Sequence, residues 1–273
     1  MGIPRYPVII LGGQSNMQGS TPQTTGPEGG RDFQAGTMTP DASIRFFASD
    51  NFGEHTAPAA LGMVPWGSTL DSGTLVPHHG PEQKLGADLK AAGWTNITIL
   101  KWTHNGTIIS HFCPGGVAGN AANTPGVDWY RLHRVIHGGR PKASGITPFF
   151  IWMQGESDAV ATDSSQAQAD AWGTNFSGLF SAVQSAVGTT LIGGKMIGRI
   201  NINIYNTTDG DNSTGQTATA PWVANVRACQ AAQAAKLFDL DSKARYSQDH
   251  LHFTSAGQHS FGADIAAHLL TLV

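Results

Sequence analysis

Apolar and polar positions along the chain alternate between two periods. Residues 7–11 (PVIIL), 43–47 (SIRFF), 97–101 (ITILK), 148–153 (PFFIWM), 196–204 and 236–240 (KLFDL) are short apolar runs that read as strands, several of them apolar on both faces as in a buried parallel sheet. Between these runs the spacing lengthens. Leu85 with Leu89, and Trp172, Phe176, Leu179, Phe180, Val183 and Val187, fall at three- and four-residue intervals and predict helices whose apolar stripe faces the core. Pro221 suits the first turn of a helix running to about Ala235, and Ser255 followed by Gln258 predicts a capping box that opens a last helix with Phe261, Ile265 and Leu269 inward. Strand followed by helix, repeated without an internal repeat or a dividing linker, argues a doubly wound α/β fold in which residues 1–273 form a single domain.

Two stretches break the rhythm. Residues 18–42 are rich in Gly, Pro, Thr and Gln, and residues 205–220 (YNTTDGDNSTGQTATA) are nearly all small and polar, so both read as loops. In an open α/β sheet, ligands sit beyond the carboxyl ends of the strands, where such loops gather.

Composition narrows the partners. Charged residues are 13% of the chain, against about 25% in an average soluble domain, and the net charge is −3, so there is no broad basic field for nucleic acid or an anionic membrane. The N-terminal apolar run, interrupted by Pro4 and Pro7, is too short for a membrane span. Cys113 and Cys229 show no zinc-ligand spacing and read as free or singly paired thiols. Low charge with scarce cysteine fits an exported or virion-borne protein better than a cytosolic one, while the compartment and the oligomeric state stay open.

Candidate chemistry lies at four places. In LGGQSNMQG, Ser15 follows the first strand after Gly12 and Gly13, at a turn where its own backbone N–H can donate to the oxyanion formed when Oγ attacks an ester carbonyl. In QDHLHFTSAGQ, Asp249 and His252 stand three residues apart, so one helical turn can set a carboxylate against one imidazole nitrogen and leave the other to face a nucleophile. His250 and His252 form His-x-His, which also permits metal ligation, although no third ligand is placed by spacing. In IWMQGESD, Gln154 carries an amide that can donate to an oxyanion, while Glu156 and Asp158 can order the loop or contact the histidine. WTHNGTIIS follows the strand ending at Lys101, and the N–H of Asn105 or Gly106 can complete the oxyanion hole.

Together, GQSNM with Ser15, QGESD from Gln154 to Asp158, and Asp249-x-x-His252 resemble the SGNH hydrolase superfamily, in its sialate O-acetylesterase and carbohydrate esterase family six branch. The resemblance implies a flavodoxin-like three-layer α/β/α fold with a mostly parallel five-stranded sheet, a serine esterase mechanism without metal or cofactor, and acetylated carbohydrate or another small acyl ester as substrate. Carried over by position, it makes Ser15 the nucleophile, His252 the base, Asp249 its partner, and Gln154 the side-chain oxyanion donor where much of the superfamily has asparagine. Asn105-Gly106-Thr107 stands where the branch usually has Gly-Gly-Thr, and Glu156 is the alternative acid partner. HHGPEQKLG, from His78 to Gly86, resembles a rim segment of the branch but reads first as structural. Trp66, Trp102 and Trp129 are candidates for stacking on sugar faces, with core packing the competing role, and Trp152 reads as packing. Two other functions compete: a silent carbohydrate-binding or structural module on the same scaffold, and a metal-dependent hydrolase using His250 and His252.

Overall fold

The computed structural model describes residues 2–19, 41–50, 59–61, 80–114, 127–139, 144–204, 220–245 and 251–273. Most of the loop expected at 18–42, nearly all of that at 205–220, and Trp66, Asp249 and His250 lie outside the described residues.

Seven strands form one sheet: β1 (Tyr6–Gly13), β2 (Asp41–Asp50), β3 (Ala59–Leu61), β4 (Thr98–Thr103), β5 (Ile146–Met153), β6 (Met196–Arg199) and β7 (Lys236–Asp239), in the order β3-β2-β4-β1-β5-β6-β7. All neighbours pair in parallel except β3, which runs antiparallel to β2. The five-stranded expectation is corrected to seven. β3 closes one edge with only three residues and has no periodicity to announce it, and β6 and β7 extend the other edge.

Alternation along the central strands divides the core in two. Val8 and Ile10 of β1, with Phe150 and Trp152 of β5, join one apolar cluster, while Ile9, Leu11, Phe149 and Ile151 join the other. The first cluster is covered by α3 (Val127–Gly139), α5 (Gln166–Val187) and α6 (Val223–Ala231), and the second by α2 (Glu82–Ala91) and α7 (Ser255–Leu269). A sheet buried on both faces needs such helices, which gives the three-layer α/β/α architecture.

Trp172, Phe176, Leu179, Val183 and Val187 are buried along α5, and Phe180 flanks them. That helix opens with a full capping box, Ser165 with Gln168. At α7 the cap falls one residue earlier than expected: Thr254 accepts from the Gly257 N–H at 3.2 Å, and Gln258 turns its amide elsewhere. The helix expected to open at Pro221 starts at Val223 and ends at Ala231, before Ala234 adopts a positive φ of 48°.

Candidate active site

The carboxyl end of β1 turns directly into a short helix, α1 (Ser15–Gln18). Gly13 permits this turn, because its φ is +152° and a Cβ there would lie 1.9 Å from the Met153 carbonyl oxygen. The same close approach lets the Gln14 N–H donate to Met153 O at 3.1 Å, which pins the turn to β5. Ser15 is the first residue of α1 and 5% exposed. First-turn N–H groups have no acceptor within a helix, so they are available to an anion that forms beside them.

β1 lies between β4 and β5, and the segments leaving those strands meet across its end. His104, immediately after β4, donates its N–H to Gly13 O at 3.0 Å. The chain then turns at Gly106, whose φ of +61° is the left-handed conformation. The glycine retained in Asn105-Gly106-Thr107 therefore takes the strained position, and Asn105 is not asked to. From the β5 side, the Gln154 amide nitrogen donates to Thr107 O at 2.9 Å and also to Asp158 Oδ2. Trp172 Nε1–H donates to Gln154 Oε1 at 3.0 Å, which fixes the orientation of the amide. Both amide hydrogens of this fully buried side chain are thus engaged. Gln154 braces the Asn105–Thr107 turn from below, and the side-chain donation to an oxyanion expected of it would require breaking one of these bonds.

Gln154 leads into α4 (Glu156–Ala159), which carries two buried carboxylates. Asp158 accepts from the Ile109 N–H at 3.0 Å as well as from Gln154, so it orders the loop. Burial pushes its carboxyl up to about 7, with the hydrogen bonds opposing and neighbouring Glu156 adding to the rise. Glu156 is also pushed up by burial, against the Asn16 hydrogen bond and the nearby charges of His252 and Arg245. One of its oxygens, Oε1, accepts from Asn16 Nδ2 at 2.9 Å, whereas Oε2 is buried and has no hydrogen-bond partner among the described residues.

Asn16 is what brings the far end of the sequence to Ser15. Its Nδ2 donates to Leu251 O at 3.1 Å, its Oδ1 accepts from the Phe253 N–H at 3.0 Å, and its carbonyl accepts from Gln258 Nε2 at 2.9 Å. The residue between Leu251 and Phe253 is His252. The structure therefore gathers Ser15, Asn105, Gly106, Gln154, Glu156 and His252 at the carboxyl end of the sheet.

The described part of the segment resembling a rim motif, from Gly80 to Gly86, is structural. Glu82 and Lys101 are fully buried and 2.7 Å apart; Lys101 also donates to Gln18 O at 2.9 Å, and Glu82 accepts from the Gly80 N–H at 2.8 Å. Trp102 and Trp152 are fully buried, which removes Trp102 as a stacking platform, and Trp129 packs partly buried against the core. Both cysteines are free, and burial pushes the Cys113 thiol up to about 12, so it is inert.

Two participants were not assigned from the sequence. Asn16 lies inside the GQSNM motif, yet its role depends on partners more than 230 residues away. His104 Nδ1 and Asp128 Oδ1 lie 2.8 Å apart, 24 residues apart in the chain, with no local spacing to signal it.

A family model described as "carbohydrate esterase, sialic acid-specific acetylesterase" matches residues 5–271. No curated protein sequence matches the chain. Among solved structures, an Arabidopsis thaliana protein superposes with a TM-score of 0.68 at 19% identity, covering 98% of this chain and 99% of its own. A carbohydrate acetylesterase from Xanthomonas citri superposes with a TM-score of 0.62, also at 19% identity, over 97% of this chain and 56% of its own. At these identities the likeness is one of fold.

Proposed function

Because the chain belongs to the carbohydrate esterase, sialic acid-specific acetylesterase family, and is thereby a carboxylic ester hydrolase, we propose that it removes O-acetyl groups from carbohydrates through an acetyl-enzyme on Ser15. The observation that supports this reading best is the hold of Asn16, the residue after Ser15, on both peptides flanking His252.

In the first half-reaction His252 takes the Ser15 proton as Oγ bonds to the acetyl carbon. The carbonyl oxygen becomes an oxyanion, met by the N–H groups of Ser15 and of the Asn105–Gly106 turn that Gln154 braces. The C–O bond to the sugar then breaks, and the sugar oxygen leaves with the proton held by His252. In the second half-reaction water gives a proton to His252, adds to the acetyl carbon, and releases acetate while Ser15 recovers its hydrogen. Asp249, three residues before His252, is the partner that holds the imidazole tautomer. Glu156, buried behind Asn16, accepts from its side-chain amide and so steadies the residue that tethers His252. We read residues 1–273 as one catalytic domain.

The test is acetate release from a panel of acetylated glycans, with Ser15→Ala as control. Release by the wild type and loss of acetyl-enzyme formation in the variant are expected. Near-wild-type hydrolysis of p-nitrophenyl acetate by Ser15→Ala would sink the nucleophile assignment.

A further inference from the structure

Beside the serine turn stands a second histidine with a carboxylate behind it, and the reaction just described does not use it. Asp128, in the first turn of α3, is 2% exposed, and its two oxygens lie 2.8 and 2.9 Å from Nδ1 of His104. A buried carboxylate needs a partner that justifies its desolvation, and here both oxygens converge on one ring nitrogen. The other nitrogen, Nε2, has no hydrogen-bond partner among the described residues, and the side chain is 24% exposed. His111 stands within electrostatic reach of both residues and is itself pushed down by burial, so the corner is partly dry.

The placement of this pair is specific. His104 is tied by its N–H to Gly13 O, two residues before Ser15, and it immediately precedes the Asn105–Gly106 turn. Gln14, which follows β1, is 2% exposed, and its Oε1 also lacks a partner among the described residues. An ester bound at Ser15, with its carbonyl oxygen at the Asn105–Gly106 turn, thus has unfilled polar capacity beside it. A carboxylate only accepts, so Nδ1 carries the hydrogen, and in that tautomer Nε2 is the accepting nitrogen.

We propose that His104, oriented by Asp128, accepts a hydrogen bond from a free hydroxyl of the sugar that carries the acetyl group. This rests on the carbohydrate esterase reading above. It makes His104 a substrate-contacting residue that favours partly acetylated sugars over esters without a neighbouring hydroxyl. A hydroxyl is the fitting ligand because it donates to Nε2 and can in turn accept from a neighbour or water.

The experiment compares three substrates: methyl mono-O-acetyl-xyloside with free hydroxyls, the same ester with those hydroxyls O-methylated, and p-nitrophenyl acetate. In wild type the free-hydroxyl sugar is preferred over its methylated counterpart. In His104→Ala that preference falls about tenfold, chiefly through KM, and Asp128→Asn shifts it in the same direction. His104→Gln repeats the measurement if the alanine variant does not fold. An unchanged preference overturns the proposal, and so does a parallel fall on all three substrates, which would assign His104 to support of the adjacent turn. A wild type that cleaves p-nitrophenyl acetate but neither sugar overturns the carbohydrate reading, and this proposal with it.

Discussion

Asn16 and His252 are joined through the main chain: one Asn16 side chain accepts from the Phe253 N–H and donates to the Leu251 carbonyl, so it holds the peptide on both sides of the histidine. Because Asn16 directly follows Ser15, the position of the proposed base is set by the residue next to the proposed nucleophile. A displacement of about 1 Å between reacting groups can lower turnover by about a hundredfold, so this tether has kinetic weight.

Replacing Asn16 by alanine should therefore lower kcat on p-nitrophenyl acetate by about ten- to a hundredfold with a much smaller change in KM. The variant also leaves the Phe253 N–H and Glu156 Oε1 buried without their present partner, at about 1–3 kcal/mol for each such group, so its urea midpoint falls. A folded Asn16→Ala protein with wild-type kcat would show that the histidine is positioned by other contacts.

The two acidic residues near His252 are separable by kinetics. Asn in place of Asp249 removes the proposed tautomer control and should lower kcat by about 10⁴-fold. Gln in place of Glu156 keeps an acceptor for Asn16 and removes only a buried charge, so the expected loss is about tenfold. The reverse order, with Glu156→Gln the more damaging, would transfer the partner role to Glu156, whose buried Oε2 has no donor among the described residues.

How far the chain could be read follows from where each interaction is encoded. The β1 and β5 runs were legible because strands buried on both faces are continuously apolar, as Val8 through Leu11 are, and the α5 stripe because one-sided burial imposes a helical period from Trp172 to Val187. β3 was not, since three residues carry no period. At the site, Ser15 and Gln154 were visible as motif residues, but the engagement of Gln154 with Thr107, Asp158 and Trp172 is a tertiary fact. His104 with Asp128 was invisible for the same reason, because the pair forms only when α3 packs over β4.

Lys101 and Glu82 offer a test of the scaffold below α1. Both are fully buried at 2.7 Å, and Lys101 also holds Gln18 O at the end of the serine helix. Lys101→Met strands the Glu82 carboxylate, so thermal or urea unfolding should report a loss of about 3–5 kcal/mol. The double variant Lys101→Met/Glu82→Gln should recover part of that loss, because no uncompensated charge remains. Equal destabilisation in single and double variants would show that the lost packing, and not the stranded charge, sets the cost.

Asp158 gives the stability a pH dependence whose sign is fixed by its environment. Its carboxyl is raised from 3.8 to about 7, first by burial and further by Glu156. Between these values the folded protein binds a proton that the unfolded chain has released. The contribution of this group is thus fully present below about pH 4 and is lost as the pH rises through about 7. Asp158→Asn removes the titration while leaving one oxygen to accept from the Ile109 N–H. Measured by thermal unfolding from pH 4 to pH 8, the stability of wild type relative to this variant should decline as the pH rises. A relative stability that is flat, or that climbs with pH, would mean that Asp158 is ionised throughout and that its hydrogen bonds to Gln154 and Ile109 outweigh its desolvation. Glu156→Gln should shift the decline to lower pH, because it removes the neighbouring negative charge that helps keep the Asp158 proton in place.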